Sequence, residues 1–253
     1  MIDWKETLGS NAPEWLADRT CYVTVTGSRA YGTATEASDV DIRGVAIAPM
    51  EHYLGIADSF EQFESSSDDT VIYDIRKFVR LAAQGNPNVL EILFTGHKDR
   101  LTATSAGWAL WDMRKLFLSK RVRNTFYGYA RAQLLKLRQG SSALLLTPRE
   151  QMTDRQKSIA DLGYCGKNAM HMVRLLRMGV EILQHGVVMV DRLDAKELLA
   201  IRNGEWSLDK LVSYASEQDD YMGQVARDSY LPEEPDMAEI DRRLVSIIKG
   251  FNE

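Results

Sequence analysis

The chain has 253 residues, 45% of them hydrophobic and 26% charged, with a formal net charge of −5 at pH 7. This is an ordinary globular composition, long enough for one large domain or two modest ones, and its acidity excludes a basic, nucleic-acid-binding surface over the whole molecule. Cys21 and Cys165 are too few for a disulfide framework and form no CxxC pair, so we expect two buried, reduced thiols. The charged N-terminal stretch and the lack of an apolar run near the ~20 residues of a membrane helix lead us to expect a cytoplasmic protein with no membrane span.

The N-terminal part of the chain alternates between strand and helix patterns. Strand patterns, rich in β-branched side chains and bounded by turn residues, occur at residues 21–27, 39–49, 61–64 and 68–74. Helix patterns follow at residues 75–85 and 86–94. The first of these helices has Asp74 before it as an N-cap, and the second opens on Asn-Pro.

Helical patterns dominate the rest of the chain, at residues 103–118, 122–138, 159–184, 194–203, 208–226 and 235–251. Residues 139–153 are typical of a loop between two of these helices. We therefore predict an α+β fold with two domains. A catalytic domain with a mixed sheet and helices would occupy residues 1–100, and a C-terminal all-α domain would occupy residues 101–253.

Two aspartates lie in the stretch GSRAYGTATEASDVDIRG, residues 27–44. Asp39 and Asp41 are two residues apart on a predicted strand, where side chains alternate between faces, so both carboxylates are expected on one side. Adjacent carboxylates repel each other unless a cation lies between them, and magnesium is held by such oxygen ligands together with substrate phosphates. An Asp-x-Asp pair on its own is more often two exposed acids on an edge strand.

The same stretch begins with Gly27 and Ser28, directly after the first predicted strand. Gly27 lacks a Cβ and lets backbone amides approach a ligand, and the Ser28 hydroxyl can donate to a phosphate oxygen. A helix expected to start near Arg29 would direct its N-terminus at the same anion. The alternative is an ordinary turn after a strand.

The motifs GSRAYG and SDVDIRG resemble the signature of the DNA polymerase beta-like nucleotidyltransferases, in which a Gly-Ser precedes an Asp-x-Asp. More narrowly, the blocks YDIRKFVRLAAQGNPNVLEILF and GYCGKNAMHMVRLLRMGVEIL are similar to a branch of predicted nucleotidyltransferases that includes an RNA-repair-pathway group. The resemblance extends from Tyr22 to about Trp206. It implies an enzyme that uses an NTP and two magnesium ions.

For the aspartates, the resemblance implies that Asp39 and Asp41 hold two magnesium ions, which clamp the NTP phosphates and activate an acceptor hydroxyl while pyrophosphate leaves. The superfamily uses a third carboxylate on a neighbouring strand, for which Asp68, Asp69 and Asp74 are the candidates. We prefer Asp69, at the start of the strand, because N-capping already accounts for Asp74.

For the nucleotide, the resemblance implies that Gly27 and Ser28 hold the β- and γ-phosphates. Arg29 and Tyr31 are expected in the same site by their place in the motif.

A second group of candidate residues follows helical spacing in the C-terminal part: Tyr164, Lys167, His171, Arg174 and Met178. A separate apolar face, expected to pack inward, comprises Ala169, Val173, Leu176, Val180 and Leu183. From the residues alone, a solvated basic face is a sufficient explanation of the first group. The resemblance implies that Lys167, His171 and Arg174 face the nucleotide across a cleft between the domains, with the two cations neutralising triphosphate charge.

Residues 112–140 hold eight basic residues and one acid, Asp112. The basic residues are Arg114, Lys115, Lys120, Arg121, Arg123, Arg131, Lys136 and Arg138. Together with Tyr127 and Tyr129 they suit a nucleic-acid strand such as an RNA end, and a solvated helix face is the alternative. The acidic stretch 228–253 is explained by an outer surface and has no assigned function.

The leading hypothesis is a magnesium-dependent nucleotidyltransferase with an RNA 3′ end, such as that of a damaged or cleaved tRNA, as acceptor. A hydroxyl of a protein or a small molecule is the alternative acceptor, and the net charge of −5 favours it. Two alternatives come from other functional classes. One is a non-catalytic nucleotide-binding regulatory protein, and the other is a helical interaction protein with an incidental Asp-x-Asp.

Overall fold

The computed structural model describes residues 2–36, 38–56, 59–65, 68–137 and 148–253. The chain forms two compact units: the first comprises Met1–Ser119, Val187–Arg192 and Glu234–Glu253, and the second comprises Lys120–Gly186 and Leu193–Glu233. The predicted boundary near residue 100 falls inside the first unit, because the strand at Arg100–Ala103 belongs to its sheet and the final helix packs on its helices. Within the described ranges, no helix is both long and apolar enough to cross a membrane.

The described part of the first unit contains a five-stranded mixed sheet. Its strands are β1 (Thr20–Thr26), β2 (Asp41–Ala46), β3 (Gln62–Glu64), β4 (Thr70–Asp74) and β5 (Arg100–Ala103). Their order across the sheet is β3-β4-β2-β1-β5, in which only β2 and β4 pair in parallel. All residues of the central strand β1 are buried, in keeping with its β-branched and aromatic composition.

This topology brings two strand starts and one strand end to the same edge of the sheet. β1 ends at Thr26, which pairs with Asp41 at the start of the antiparallel β2. β4 runs parallel to β2, and its first residue, Thr70, pairs with Ile42. Residues directly after β1, at the start of β2 and directly before β4 therefore lie together.

Helices cover the sheet of the first unit: α1 (Leu16–Arg19), α2 (Gly27–Tyr31), α3 (Glu51–Leu54), α4 (Ile75–Ala83), α5 (Pro87–Leu90) and α6 (Ser105–Asp112). Short 3₁₀ turns lie at Glu6–Leu8, Glu91–Phe94, His97–Asp99 and Arg114–Phe117. α4 begins where its sequence predicts, because the Asp74 side chain accepts the Arg76 backbone N–H at 2.9 Å. A core cluster joins the N-terminal residues Trp4, Leu8 and Leu16 to apolar strand residues.

The second unit consists of α7 (Val122–Lys136), α8 (Asp154–Leu162), α9 (Gly166–His185), α10 (Ala195–Arg202) and α11 (Leu208–Asp228), with a 3₁₀ turn at Arg149–Gln151. α9 is its central element and packs against α7, α8, α10 and α11. The five residues of the predicted apolar face of α9 are all buried, as expected. The chain then returns to the first unit in α12 (Met237–Asn252), which packs on α4 and α6.

The predicted α+β class is confirmed, as is the state of the cysteines. Cys21 and Cys165 are free and buried. Burial raises the pKa of the Cys21 thiol to about 12, so that this side chain stays protonated and unreactive.

Several predicted element bounds are wrong for identifiable reasons. The helix predicted at 103–118 starts only after Thr104, because β5 takes up the residues before it, and it ends at Asp112. The helix predicted at 159–184 is divided at Gly163, whose φ of +77° ends α8 in a left-handed cap. The predicted strand at 39–49 is shorter than expected and begins at Asp41. Of the predicted loop 139–153, residues 139–147 lie outside the described residues.

Candidate active site

The edge where β1 ends and β2 begins gathers the predicted glycine and one predicted aspartate. Gly27 follows β1 with a φ of +65°, a backbone angle that favours glycine. A Cβ at Gly27 would lie 1.9 Å from Oδ2 of Asp41 and 2.6 Å from its Cγ. Glycine is therefore required here both by its backbone angle and by the carboxylate that takes the place of a side chain.

A second carboxylate lies beside Asp41 on the neighbouring strand. The backbone carbonyl of Asp69 accepts the Ile42 N–H at 2.9 Å, which places Asp69 next to Asp41 in the parallel ladder. The carboxylates of Asp41 and Asp69 have 26% and 51% of their side-chain surface exposed, so both can reach a ligand from solvent. The preferred third carboxylate thus lies at the same sheet edge as the Asp-x-Asp motif.

Arg43 joins these two carboxylates, and the sequence predictions do not include it. Its Nη2 lies 2.7 Å from Oδ1 of Asp69 and 3.6 Å from Oδ1 of Asp41. Its Nη1 donates to the backbone carbonyls of Asp69 at 2.6 Å and of Ile42 at 2.9 Å. Arg43 is two residues after Asp41 on the same strand face, which is the sequence signal that could have indicated it.

Asp39 lies outside the strand on which it was predicted. It is exposed and precedes β2 by two residues, so strand alternation does not fix its side chain relative to Asp41. The Arg29 guanidinium holds this segment, because it donates to the backbone carbonyls of Ser38 at 3.0 Å and of Asp39 at 3.3 Å. Arg29 therefore has a positioning contact with the segment of the predicted metal ligand, and its expected role at the nucleotide stays a prediction.

Asp74 lies at the other end of β4 and is 1% exposed. It accepts the Tyr53 hydroxyl at 2.7 Å and the Arg76 backbone N–H at 2.9 Å. These contacts give Asp74 the N-cap role that its sequence position predicts. Asp68, the remaining candidate, is exposed in the turn before β4.

Ser28 and Tyr31 belong to α2, which has only five residues. The Ser28 hydroxyl makes no hydrogen bond within the described part of the chain, whereas the Ser28 backbone carbonyl accepts the Thr33 N–H at 2.9 Å. Tyr31 is buried, and its hydroxyl donates to the buried carboxylate of Glu91. This contact anchors α2, and the expected role of Tyr31 at the nucleotide stays a prediction. Glu91 is sixty positions away in sequence, a separation over which local patterns give no signal.

The donor chemistry at this edge fits a hard divalent cation. Within residues 2–36, 38–56, 59–65, 68–137 and 148–253, no group of three or more His, Cys, Asp or Glu side chains is arranged to hold a metal ion. The pair Asp41 and Asp69 nevertheless binds a positive charge between its oxygens, that of Arg43. Carboxylate oxygens in partial contact with solvent are the ligands that magnesium takes in proteins.

The predicted residues of α9 fall into two environments. Lys167 is exposed, whereas Arg174 is 3% exposed and its Nη1 lies 3.1 Å from Sδ of Met178. Tyr164 precedes the helix and is buried, with its hydroxyl donating to the Trp206 carbonyl at 2.5 Å. The alternative of a solvated face does not hold for most of this stripe, because Tyr164, Arg174 and Met178 are buried.

His171 lies among positive charges in the second unit. Burial, and then the charges of Arg174, Lys167 and Arg202, lower the pKa of His171 to about 3. Arg202, at the end of α10, is a member of this cluster that the sequence predictions missed. The cluster can attract an anion, and its imidazole is neutral at physiological pH.

We expect His171 to make the protein sensitive to acid. The unfolded chain binds a proton at this imidazole near its ordinary pKa of about 6.5, and the folded protein does so only near pH 3. Stability is thus unaffected above about pH 6.5 and falls by about 1.4 kcal/mol for each unit below it. Urea unfolding at pH 7 and pH 5 should show a loss about 2 kcal/mol larger for the wild type than for His171→Gln. Equal losses in the two proteins would contradict this environment.

The basic segment 112–140 is not one surface. Residues 112–119 belong to the first unit and residues from Lys120 onward to the second. Arg114 stacks on Trp111, with its guanidinium carbon 3.3 Å from the ring centroid. Lys120 pairs with Glu233 at 2.8 Å, and Arg123 pairs with Asp219 at 2.5 Å. Arg138 lies outside the described residues.

The sequence of this chain is similar to known proteins. The model of the RlaP family, described as the RNA repair pathway DNA polymerase beta family, matches residues 7–245. A phage T4 protein, the uncharacterized 38.9 kDa protein in the nrdC-mobD intergenic region, is 29% identical over 125 residues. That alignment covers 44% of this chain and only 36% of the phage protein. Since the family match includes Gly27, Asp41 and Asp69 and nearly the whole sequence, the chain belongs to the RNA repair pathway DNA polymerase beta family, whose description implies a polymerase-beta-like nucleotidyltransferase.

Proposed function

We propose that this chain is a magnesium-dependent nucleotidyltransferase that transfers a nucleoside monophosphate from an NTP to the hydroxyl at an RNA 3′ end and releases pyrophosphate. The observation that carries the proposal is the meeting of Gly27, Asp41 and Asp69 at one sheet edge, with a cationic side chain already bound between the carboxylates. The family description supports both the reaction class and an RNA substrate.

Asp39, Asp41 and Asp69 would hold two magnesium ions at this edge. When bound, magnesium neutralises phosphate charge and makes the acceptor hydroxyl a better nucleophile. Arg43 keeps Asp69 beside Asp41 through its bonds to the backbone of both strands. Arg29 holds the segment that carries Asp39, so that a flexible loop residue is restrained near the strand residues.

Ser28 and the backbone next to Gly27 would bind the β- and γ-phosphates. The Ser28 hydroxyl is available to donate, and the missing Cβ of Gly27 leaves the Asp41 carboxylate close to the backbone. Because α2 has only five residues, its dipole adds little to this anion site. Glu91 and Tyr31 fix the position of α2 and thereby that of Ser28.

The triphosphate would be bound by the cluster of the second unit, which comprises Lys167, His171 and Arg174. Arg202 contributes charge to this cluster. The neutral imidazole of His171 can donate a hydrogen bond to a phosphate oxygen, and a bound polyanion would raise its pKa. Unchanged NTP affinity in a Lys167→Ala, Arg174→Ala double variant would contradict this part of the proposal.

The acceptor is tested by incubating the protein with magnesium, each α-labelled NTP in turn, and a panel of acceptors. We expect label on RNA with a free 3′-hydroxyl and none on the matched RNA that ends in a 3′-deoxynucleotide. Label on a protein or small-molecule hydroxyl would support the alternative acceptor that the net charge of −5 favours. NTP binding without transfer to any acceptor would indicate a non-catalytic nucleotide-binding protein.

The choice of Asp69 over Asp74 gives a matched pair of variants on the same strand. We expect Asp69→Asn to lower the transfer rate about a hundredfold with little effect on stability, since its carboxylate is exposed. Asp74→Asn should lower the free energy of unfolding by about 1–2 kcal/mol, because it weakens an N-cap and a buried hydrogen bond, and should leave kcat nearly unchanged. Transfer assays and urea unfolding on both variants decide the assignment, and the reverse pattern would contradict it.

A further inference from the structure

A glycine lies in the middle of the fifteen-residue helix α7, at a place where the fold does not need one. Gly128 is exposed, has no left-handed backbone angle, and a Cβ added to it would meet nothing within 4 Å. A glycine in a helix interior costs about 1 kcal/mol relative to alanine. A ligand that approaches the helix backbone closely would account for a glycine that neither packing nor backbone geometry requires.

The exposed face around Gly128 carries only positive charge. α7, VRNTFYGYARAQLLK, contains no acidic residue. By helical spacing, Arg121 lies two turns before Gly128 on this face and Arg131 lies one turn after it. Lys136 and Tyr129, which is 37% exposed, lie along the same side.

The cations of this face that a ligand can use are Arg131 and Lys136. Asp219 pairs with Arg123, which lies on the opposite, half-buried side of α7. Neither Arg131 nor Lys136 makes an ion pair with any residue that the structure describes. Arg155 of α8 donates to the Lys136 carbonyl and adds a further cation at the end of the helix.

We propose that the exposed face of α7 binds a single strand of RNA, with Gly128 as the point where the sugar–phosphate chain meets the helix backbone. Arg131 and Lys136 neutralise phosphates, and Tyr129 offers a ring on which a base stacks. A second copy of this chain is a poor occupant, because it would bring arginines of the two copies together. The proposal rests on the proposed function in one respect, that the acceptor is RNA.

The test exploits the opposite effects of one substitution on stability and on binding. Gly128→Ala is expected to raise Tm by about 2 °C, because alanine favours the helix, and to weaken binding of a labelled single-stranded RNA oligonucleotide about tenfold in fluorescence anisotropy. Gly250→Ala is the matched control: Gly250 is also exposed in a helix with nothing within 4 Å of an added Cβ. Gly250→Ala should raise Tm by less than Gly128→Ala does, because Gly250 lies near the end of its helix. It should leave RNA affinity unchanged.

Salt dependence measures the phosphate contacts separately. Two contacts, from Arg131 and Lys136, predict a slope of log K against log salt of about −1.4 for a single strand. An Arg131→Gln, Lys136→Gln double variant should reduce the size of this slope by about 1.4. An unchanged slope, an unchanged affinity of Gly128→Ala, or no RNA binding by the wild type would each overturn the proposal. If Gly128→Ala sedimented differently from the wild type without RNA, this face would instead be identified as a contact between copies of the chain.

A variant in the first unit separates catalysis from RNA binding. Asp41→Asn should bind the oligonucleotide with wild-type affinity while it loses transfer. If the wild type shows no transfer but the RNA affinities follow the expected pattern, the proposed function fails and the assignment of α7 stands.

Discussion

Replacing Asp41 by asparagine is expected to lower the rate of nucleotidyl transfer about a thousandfold while the protein stays folded. Asparagine keeps the shape of the side chain against Gly27 but removes its charge, and with it an anionic oxygen ligand for magnesium. The loss of stability should stay below about 1 kcal/mol, because the ion pair of Asp41 with Arg43 is long, at 3.6 Å, and partly solvated.

Single-turnover transfer with an α-labelled NTP and urea unfolding of the same preparation provide the two readouts. Asp68→Asn is the control, since Asp68 is an exposed aspartate in the turn beside Asp69. It should retain transfer within a few-fold. Near-wild-type transfer in Asp41→Asn would show that this sheet edge takes no part in the reaction.

Replacing Gly27 by alanine is expected to lower transfer by at least about a hundredfold. The new methyl group would lie 1.9 Å from Oδ2 of Asp41, so either the backbone after β1 or the carboxylate must move. The φ of +65° adds strain of about 1–2 kcal/mol for any residue with a Cβ. Since positions of reacting groups must hold within an ångström or less, such a shift disables the site.

Gly163→Ala separates the two causes of that effect. Gly163 also has a left-handed backbone angle, φ +77°, but nothing lies within 4 Å of an added Cβ. It should therefore lose a similar 1–2 kcal/mol of stability through backbone strain and keep its transfer rate. Equal loss of transfer in the two variants would mean that the Gly27 effect arises from general destabilisation.

The sequence predicts those features that depend on local patterns. The α+β class, α4 with its Asp74 cap, and the buried face of α9 follow from periodicity and capping residues. Gly27 was singled out because glycine after a strand permits a close approach. The carboxylate that actually approaches it, Asp41, depends on the pairing of Thr26 with Asp41 between β1 and β2.

The features that sequence reasoning missed depend on contacts between distant residues. Arg43 reaches Asp69 only because β2 and β4 pair in parallel. The Tyr31 hydroxyl donates to Glu91, which belongs to another element of the chain. β5 has only four residues, too few to be predicted from their pattern, and its pairing with β1 defines it. Propensities of neighbouring residues give no information on these pairings, because each pairing joins residues that are distant in sequence.

The sheet edge with Asp39, Asp41 and Asp69 is proposed to perform a magnesium-dependent transfer. The most direct measurement is the rate of label transfer from an α-labelled NTP to a 3′-hydroxyl RNA as magnesium is titrated into metal-free protein, for the wild type and for Asp39→Asn. We expect no label transfer without magnesium. With magnesium, the transfer rate of the wild type should rise to a plateau, and that of Asp39→Asn should not rise. Transfer in the presence of EDTA, or an unchanged magnesium response in Asp39→Asn, would contradict it.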